Sequence, residues 1–264
     1  MPQDLRHHLE SFVEMTDFSD SVAFDGACAG VNAIIVAWNE EPRLVLDAQL
    51  MLLRAAERAG IKRFHAVSWN TDWEHMPLGV IESYDAMICF ARQALLTSPI
   101  KPLYTFCGVL AKTLFGVPGA GSLEGDASLW VRKEGGERVV NLIGAGKTPT
   151  PFSTEEDVAE FTVALTTSDG AENDLKETYE QLRGSKCHIN HIMDVATCKQ
   201  MIEQAREDAI GTGELHKRFK NIVGLVYAVF LDEGCYNIEP VDAEKFPDVP
   251  RTTLKEYILA NEWV

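Results

Sequence analysis

The chain has 264 residues, 46% hydrophobic and 24% charged, with a formal net charge of −16. That length suits one or two domains with a sizeable core, and an isoelectric point near 4.8 argues against the broad basic face that a nucleic-acid binder needs. No run of about 18 apolar residues is present to span a membrane, "MPQDLRHHLE" lacks the apolar centre of a secretory signal, and none of the six cysteines falls in a C-x-x-C pair, so a cytoplasmic chain with buried free thiols is expected.

In chain order, "FVEMTDFSD" predicts a short strand at Phe12 and Val13 that stops at polar turn residues. "SVAFDGACAG" predicts a helix stopped by Gly30. "VNAIIVAW", 31–38, is a continuous β-branched run without alternation, as a strand buried on both faces of a parallel sheet would be. A helix follows, with Pro42 suited to its first turn and Gly60 to its C-terminal stop. "IKRFHAVSW" is the next strand, 82–96 a helix, and "PLYTFCG" a further strand. The order β-α-β-α-β-α-β means an α/β fold with a parallel sheet and right-handed crossovers.

Beyond Phe115 the pattern loosens. "GVPGAGSLEGD" is loop-like and "ERVVNLIGAG" a strand. "STEEDVAEFTVALTT" is a helix with Ser153 or Thr154 as its cap and acidic residues in its first turn. "VATCKQMIEQAREDA" is amphipathic, "FKNIVGLVYAVFL" apolar but too short to span a membrane, and Thr252 or Thr253 caps a last helix. This gives a main domain over 1–165 and a smaller, helix-rich C-terminal region over 166–264.

In open parallel sheets ligands bind beyond the carboxyl ends of the strands. Those ends are Trp38-Asn39, Ser68-Trp69-Asn70 and Cys107-Gly108. "SWNTDW", 68–73, is the richest, with a hydroxyl, an amide, the Asp72 carboxylate and the two indoles of Trp69 and Trp73. Indoles make flat apolar walls with one donor each, suited to a planar ligand. Packing of both indoles beneath helix 82–96 accounts for them equally well.

Other motifs fail on their surroundings. A dinucleotide site needs a strand, a Gly-rich turn and a helix, and no such turn precedes Val31; "GVPGAG", 116–121, reads as a loop. "NLIGAGKT", 141–148, approaches a phosphate loop, but Asn141 stands at its first position and Pro149 and Pro151 block the helix that must follow. "CHINH", 187–191, lacks a second ligand pair for zinc and reads as a surface strand or loop. No G-x-S-x-G pentapeptide is present for a serine hydrolase.

Several segments resemble the NmrA-like and isoflavone-reductase-like atypical short-chain dehydrogenases. "LLRAAERAGIKRFHAVSWNTD" is similar to the family's "li.AA..aGVkrFipSefg.d". "SYDAMICFARQALLTSPIKPLYTFCGVL" resembles "yd.K..vr..l..s.l.yT.v..G.f", "GAGKTPTPFSTEEDVAEFTVAL" resembles "gdG.t...ft...DVgrfva..l", and "FPDVPRTTLKEYI" resembles the terminal "fPdv.pttleeyl". The resemblance implies a Rossmann-like domain binding NADP(H), with Trp38, Asn39, Ser68 and Trp69 on the cofactor side. Asn70, Asp72, Trp73 and Cys107 then fall on the substrate side. It implies reduction of a small phenolic or polyketide-type secondary metabolite.

Three features depart from the family. The chain begins near the family's third strand, so the sheet is expected to be incomplete in its N-terminal half and to lack the Gly-rich turn. The passage 168–188 is shorter than the family's. The lysine of "yd.K", which serves proton transfer or substrate polarisation, reads Met87 here. A thioether has no proton to transfer near neutral pH. Tyr84, one turn earlier, is the remaining candidate donor, though its unperturbed pKa near 10 needs a cationic neighbour, and Arg92 does not share Met87's face. Two other functions therefore stand beside the reductase: a non-catalytic dinucleotide sensor or binding protein, and a redox-independent isomerase or lyase using Tyr84, Asp72 and Ser68. The partners expected are a small molecule and, over the exposed side of 31–38, a protein or a second copy.

Overall fold

The computed structural model describes residues 9–38, 41–118, 120, 129–133, 137–165, 187–209, 215–237, 249 and 251–264. They cluster into two compact units, Met1–Ser68 with Trp73–Tyr104, and Trp69–Asp72 with Thr105–Val264.

The first unit begins with α1, Ser21–Cys28, where the Asp20 carboxylate accepts the Ala23 amide at 3.0 Å as an N-cap. β1, Ala33–Ile35, pairs in parallel with β2, Arg63–His65, in the register Ala33↔Arg63 to Ile35↔His65. Between them Pro42 leads into a π-helical segment, Arg43–Ala48, continued by α2, Gln49–Ala59. Gly60 closes α2 at φ 73°, where its amide reaches the Ala56 and Glu57 carbonyls. The buried Gln49 amide donates to the Val45 carbonyl and accepts the Val67 amide, both at 2.8 Å. It thereby ties the helix to the chain leaving β2. α3, Glu82–Thr97, buries Tyr84, Met87, Ile88 and Ala94 at helical spacing. Phe90 stacks on Phe64 of β2, centroids 6.2 Å apart.

Three expectations fail in this unit. Phe12 and Val13 form no strand, and Phe12 is 70% exposed; a two-residue apolar run has no pairing of its own. β1 has three residues, and Ile35 on it is 44% exposed, so the β-branched run is not buried on both faces. The strand expected in "PLYTFCG" is reduced here to one parallel bridge, His65↔Leu103.

In the second unit a parallel bridge joins Asn70 and Phe106. β3, Val109–Leu110, runs directly into the single turn α4, Ala111–Leu114. A three-stranded sheet has β5, Arg138–Ile143, at its centre, antiparallel to β4, Trp130–Arg132, and parallel to β7, Cys187–Met193. β3 pairs in parallel with β6, Phe152–Ser153. α5, Glu155–Leu165, is capped by Thr154, whose hydroxyl accepts the Asp157 amide at 2.9 Å. α6, Val195–Ala209, packs on α7, Leu215–Asp232.

Of the two threonines weighed for the last helix, Thr253 caps α8, Leu254–Ala260, in a reciprocal box with Glu256. Thr252 is instead clasped by Asp157, which accepts its amide and its hydroxyl at 2.7 Å. Phe115, Trp130 and Tyr257 are buried together, with Phe115 stacked on Tyr257 at 5.6 Å and the more exposed Trp263 edge-on to Phe115. "CHINH" lies on β7. Among the described residues no helix is long and apolar enough to cross a membrane. Asn39 and most of the shortened passage 168–188 lie outside the described residues.

Candidate ligand-binding site

The segment after β2 divides between two settings. Ser68 is buried and its hydroxyl donates to the Ala66 carbonyl at 3.2 Å. Trp73 is 1% exposed and meets Tyr104 edge-on at 5.2 Å. Tyr84 and Met87 are 1% and 2% exposed. These four side chains belong to the first unit and lie in its core, with no open face to solvent. Trp38 in the same unit is half-buried, its ring 6.5 Å from that of Phe24.

Trp69, Asn70 and Asp72 belong to the second unit and are held differently. Trp69 has φ 58°, the one described residue other than glycine with positive φ. For a bulky side chain that left-handed conformation costs about 1–3 kcal/mol and persists only where the surroundings enforce it. Here they do. The Trp69 amide donates to the Thr105 carbonyl at 2.7 Å, and the Asn70 carbonyl accepts the Cys107 amide at 3.0 Å. The indole N–H donates to the Thr162 hydroxyl at 2.7 Å. The Thr71 hydroxyl donates to the Cys235 carbonyl. Trp69 stays half-buried and Asp72 exposed beside this pinned backbone.

Cys107 is buried, and burial, reinforced by the Glu155 carboxylate, pushes its thiol up to about 12. It keeps its proton and is no nucleophile; its carbonyl accepts the Ser153 hydroxyl at 2.9 Å. The next residue, Gly108, has φ 71°, and a Cβ there would lie 2.3 Å from the Pro151 carbonyl oxygen, so this close approach requires glycine.

Among the described residues one Gly-rich turn does converge its amides on an anion, and it is the "GAGKT" turn. The Ala145 and Gly146 amides point at the Asp232 carboxylate, at 2.8 and 3.3 Å, and the Thr148 hydroxyl donates to the Asp232 carbonyl at 2.6 Å. This is an anion nest filled by the chain's own carboxylate. It is not open to a pyrophosphate. An open phosphate cradle is not found among the described residues.

Sequence reasoning placed Trp69 at the site but missed Thr71, Thr105 and Thr162, which pin it. They lie in different elements, and Thr162 is separated from Trp69 by 93 positions, so no local pattern marks them.

No protein-family model and no curated protein sequence matches the chain. Solved structures do. The crystal structure of isoflavone reductase superposes with a TM-score of 0.66 at 18% identity, covering 94% of this chain and 80% of that one. The binary complex of leucoanthocyanidin reductase with NADPH from Vitis vinifera gives 0.64 at 16% identity, covering 92% and 80%. The triphenylmethane reductase of Citrobacter sp. in complex with NADP(H) gives 0.60 at 14% identity, covering 92% and 81%. The fold is that of the isoflavone-reductase-like reductases. The α/β class and the Rossmann-like arrangement expected from the sequence follow from it.

Proposed function

We propose that the chain is an oxidoreductase of the isoflavone-reductase-like kind, using NADP(H) on a small planar secondary metabolite of phenolic or polyketide type. The observation that carries this reading is Trp69, a half-buried indole held in a left-handed backbone at the end of a strand, in a fold shared with reductases solved with NADPH or NADP(H). The dinucleotide, when bound, supplies the hydride. Trp69 offers a flat wall for a ring and Asp72 a nearby carboxylate, while Cys107 and Ser68, buried and internally bonded, offer no acid or base.

Met87 favours a second reading, a non-catalytic dinucleotide-binding protein of the NmrA type. It stands where the reductases' lysine is expected, and its side chain is buried and carries no transferable proton. The isomerase or lyase reading loses support from the burial of Tyr84 and Ser68.

Titration calorimetry of the full chain with NADPH tests the proposal. Micromolar binding is the expected result. Absence of binding overturns both dinucleotide readings. Binding without turnover of any planar ketone or enone leaves the sensor.

A further inference from the structure

The hydroxyl of Thr162 has one hydrogen, and it is already used. On α5 it donates to the Val158 carbonyl one turn back, at 2.7 Å. What it presents outward is a lone pair. An indole is a donor only, and the Trp69 indole N–H reaches that lone pair at 2.7 Å. The pairing is therefore directional: a helix residue, oriented by its own back-bond, holds the azimuth of a ring 93 positions earlier in the chain.

The ring needs fixing. Trp69 sits at φ 58°, where a bulky residue is strained. Relaxation of its backbone toward the extended region would swing the indole away. The main-chain bonds of Trp69 to Thr105 and of Asn70 to Cys107 hold the backbone on either side, but neither restrains the side-chain torsions. Thr162, itself buried, bonds the indole directly.

We propose that Thr162 is a positioning residue that latches the Trp69 indole as the flat wall of the ligand site. It touches no ligand and acts through Trp69. This rests on the dinucleotide reading above, and the test separates the two.

The chain carries five tryptophans, so the Trp69 indole N–H resonance is assigned by its loss in Trp69→Phe. Its exchange with solvent and the calorimetric Kd for NADPH are then followed in Thr162→Val, which keeps the shape and removes the hydroxyl, and in Thr162→Ser, which restores it. The expected result has three parts: the indole proton is protected in wild type and Thr162→Ser and exchanges fast in Thr162→Val; the Kd rises about fivefold in Thr162→Val, as for loss of one hydrogen bond; and Thr162→Ser recovers it. A merely structural role would weaken binding in both variants alike. Unchanged protection in Thr162→Val shows there is no latch. Lost protection with an unchanged Kd shows a latch that positions nothing for the ligand. Either overturns the proposal. Absence of NADPH binding to the wild type overturns the proposed function and this role with it, while the exchange data still report whether the latch exists.

Discussion

The two units are held together by different means. Around β2 and α3, the first unit relies on buried apolar side chains: Phe64 on Phe90, Trp73 on Tyr104, and Tyr84, Met87 and Ile88 along one face of α3. The second unit adds, beside its aromatic cluster, side chains that grip distant backbone: Thr71 on Cys235, Asp157 on Thr252, Asp232 on the 145–146 amides. An apolar core specifies burial but tolerates adjustment, because dispersion is non-directional. A hydrogen-bonded clasp specifies position. The ligand-facing candidates Trp69 and Asp72 lie in the clasped unit. The residues that family resemblance would make catalytic, Tyr84 and Met87, lie in the packed one.

Met87→Lys is the most severe way to break this contrast. At a site 2% exposed a lysine must be held neutral, which at pH 7 costs about 5 kcal/mol against its free pKa. The folded pKa is depressed, so the unfolded chain binds more protons below about pH 10; stability is lost as pH falls below that value and recovered above it. Urea unfolding of Met87→Lys at pH 7 and at pH 10 should show a large deficit that shrinks at the higher pH. Wild-type stability at pH 7 would mean that the ammonium reaches water or a carboxylate. Position 87 would then border a wet cleft, as the reductase lysine requires.

His65 probes the same core without a change of volume class. Its ring is fully buried, and desolvation lowers its pKa from 6.5 to about 4, opposed by a backbone hydrogen bond at Ala66. Between those values the unfolded chain binds the proton and the folded chain does not. Stability is therefore complete above about pH 6.5 and falls as pH drops toward 4, by up to about 3 kcal/mol. His65→Leu should flatten that slope between pH 7 and pH 4.5 in thermal or urea melts. An equal slope in both proteins would place the acid sensitivity elsewhere, in hydrogen-bonded carboxylates such as Asp20 and Glu156.

The sequence made the packed unit easier to read than the clasped one, for a physical reason. Helical spacing at 84, 87 and 88 and Gly60 after α2 are local signals, and each element formed where they predict. Strand extent was less legible. "VNAIIVAW" has the composition of a covered strand, but cover is supplied by other elements, and Ile35 lacks it. Phe12 and Val13 failed for the same reason. The clasps were invisible: "GAGKT" correctly failed as a phosphate loop because Pro149 follows, yet its amides do cradle an anion, from a residue 87 positions away. Nor does the identity of Trp69 announce a left-handed backbone.

That cradle gives the smallest of the expected effects and the cleanest test of the clasped unit. Asp232→Ala removes the acceptor for two amides at a partly exposed turn, which should cost about 1–2 kcal/mol, with Asp232→Asn keeping part of it. Gly144→Ala acts from the other side. At φ 82° its Cβ would lie 2.3 Å from the Asp232 carboxyl, so it must displace the same group and strain the turn as well. If the turn and Asp232 form one clasp, the double variant Asp232→Ala with Gly144→Ala should be less destabilised than the sum of the singles, because the clash disappears with the carboxylate. Simple additivity in chemical denaturation would show that the two residues act independently and that the nest is not what holds this turn.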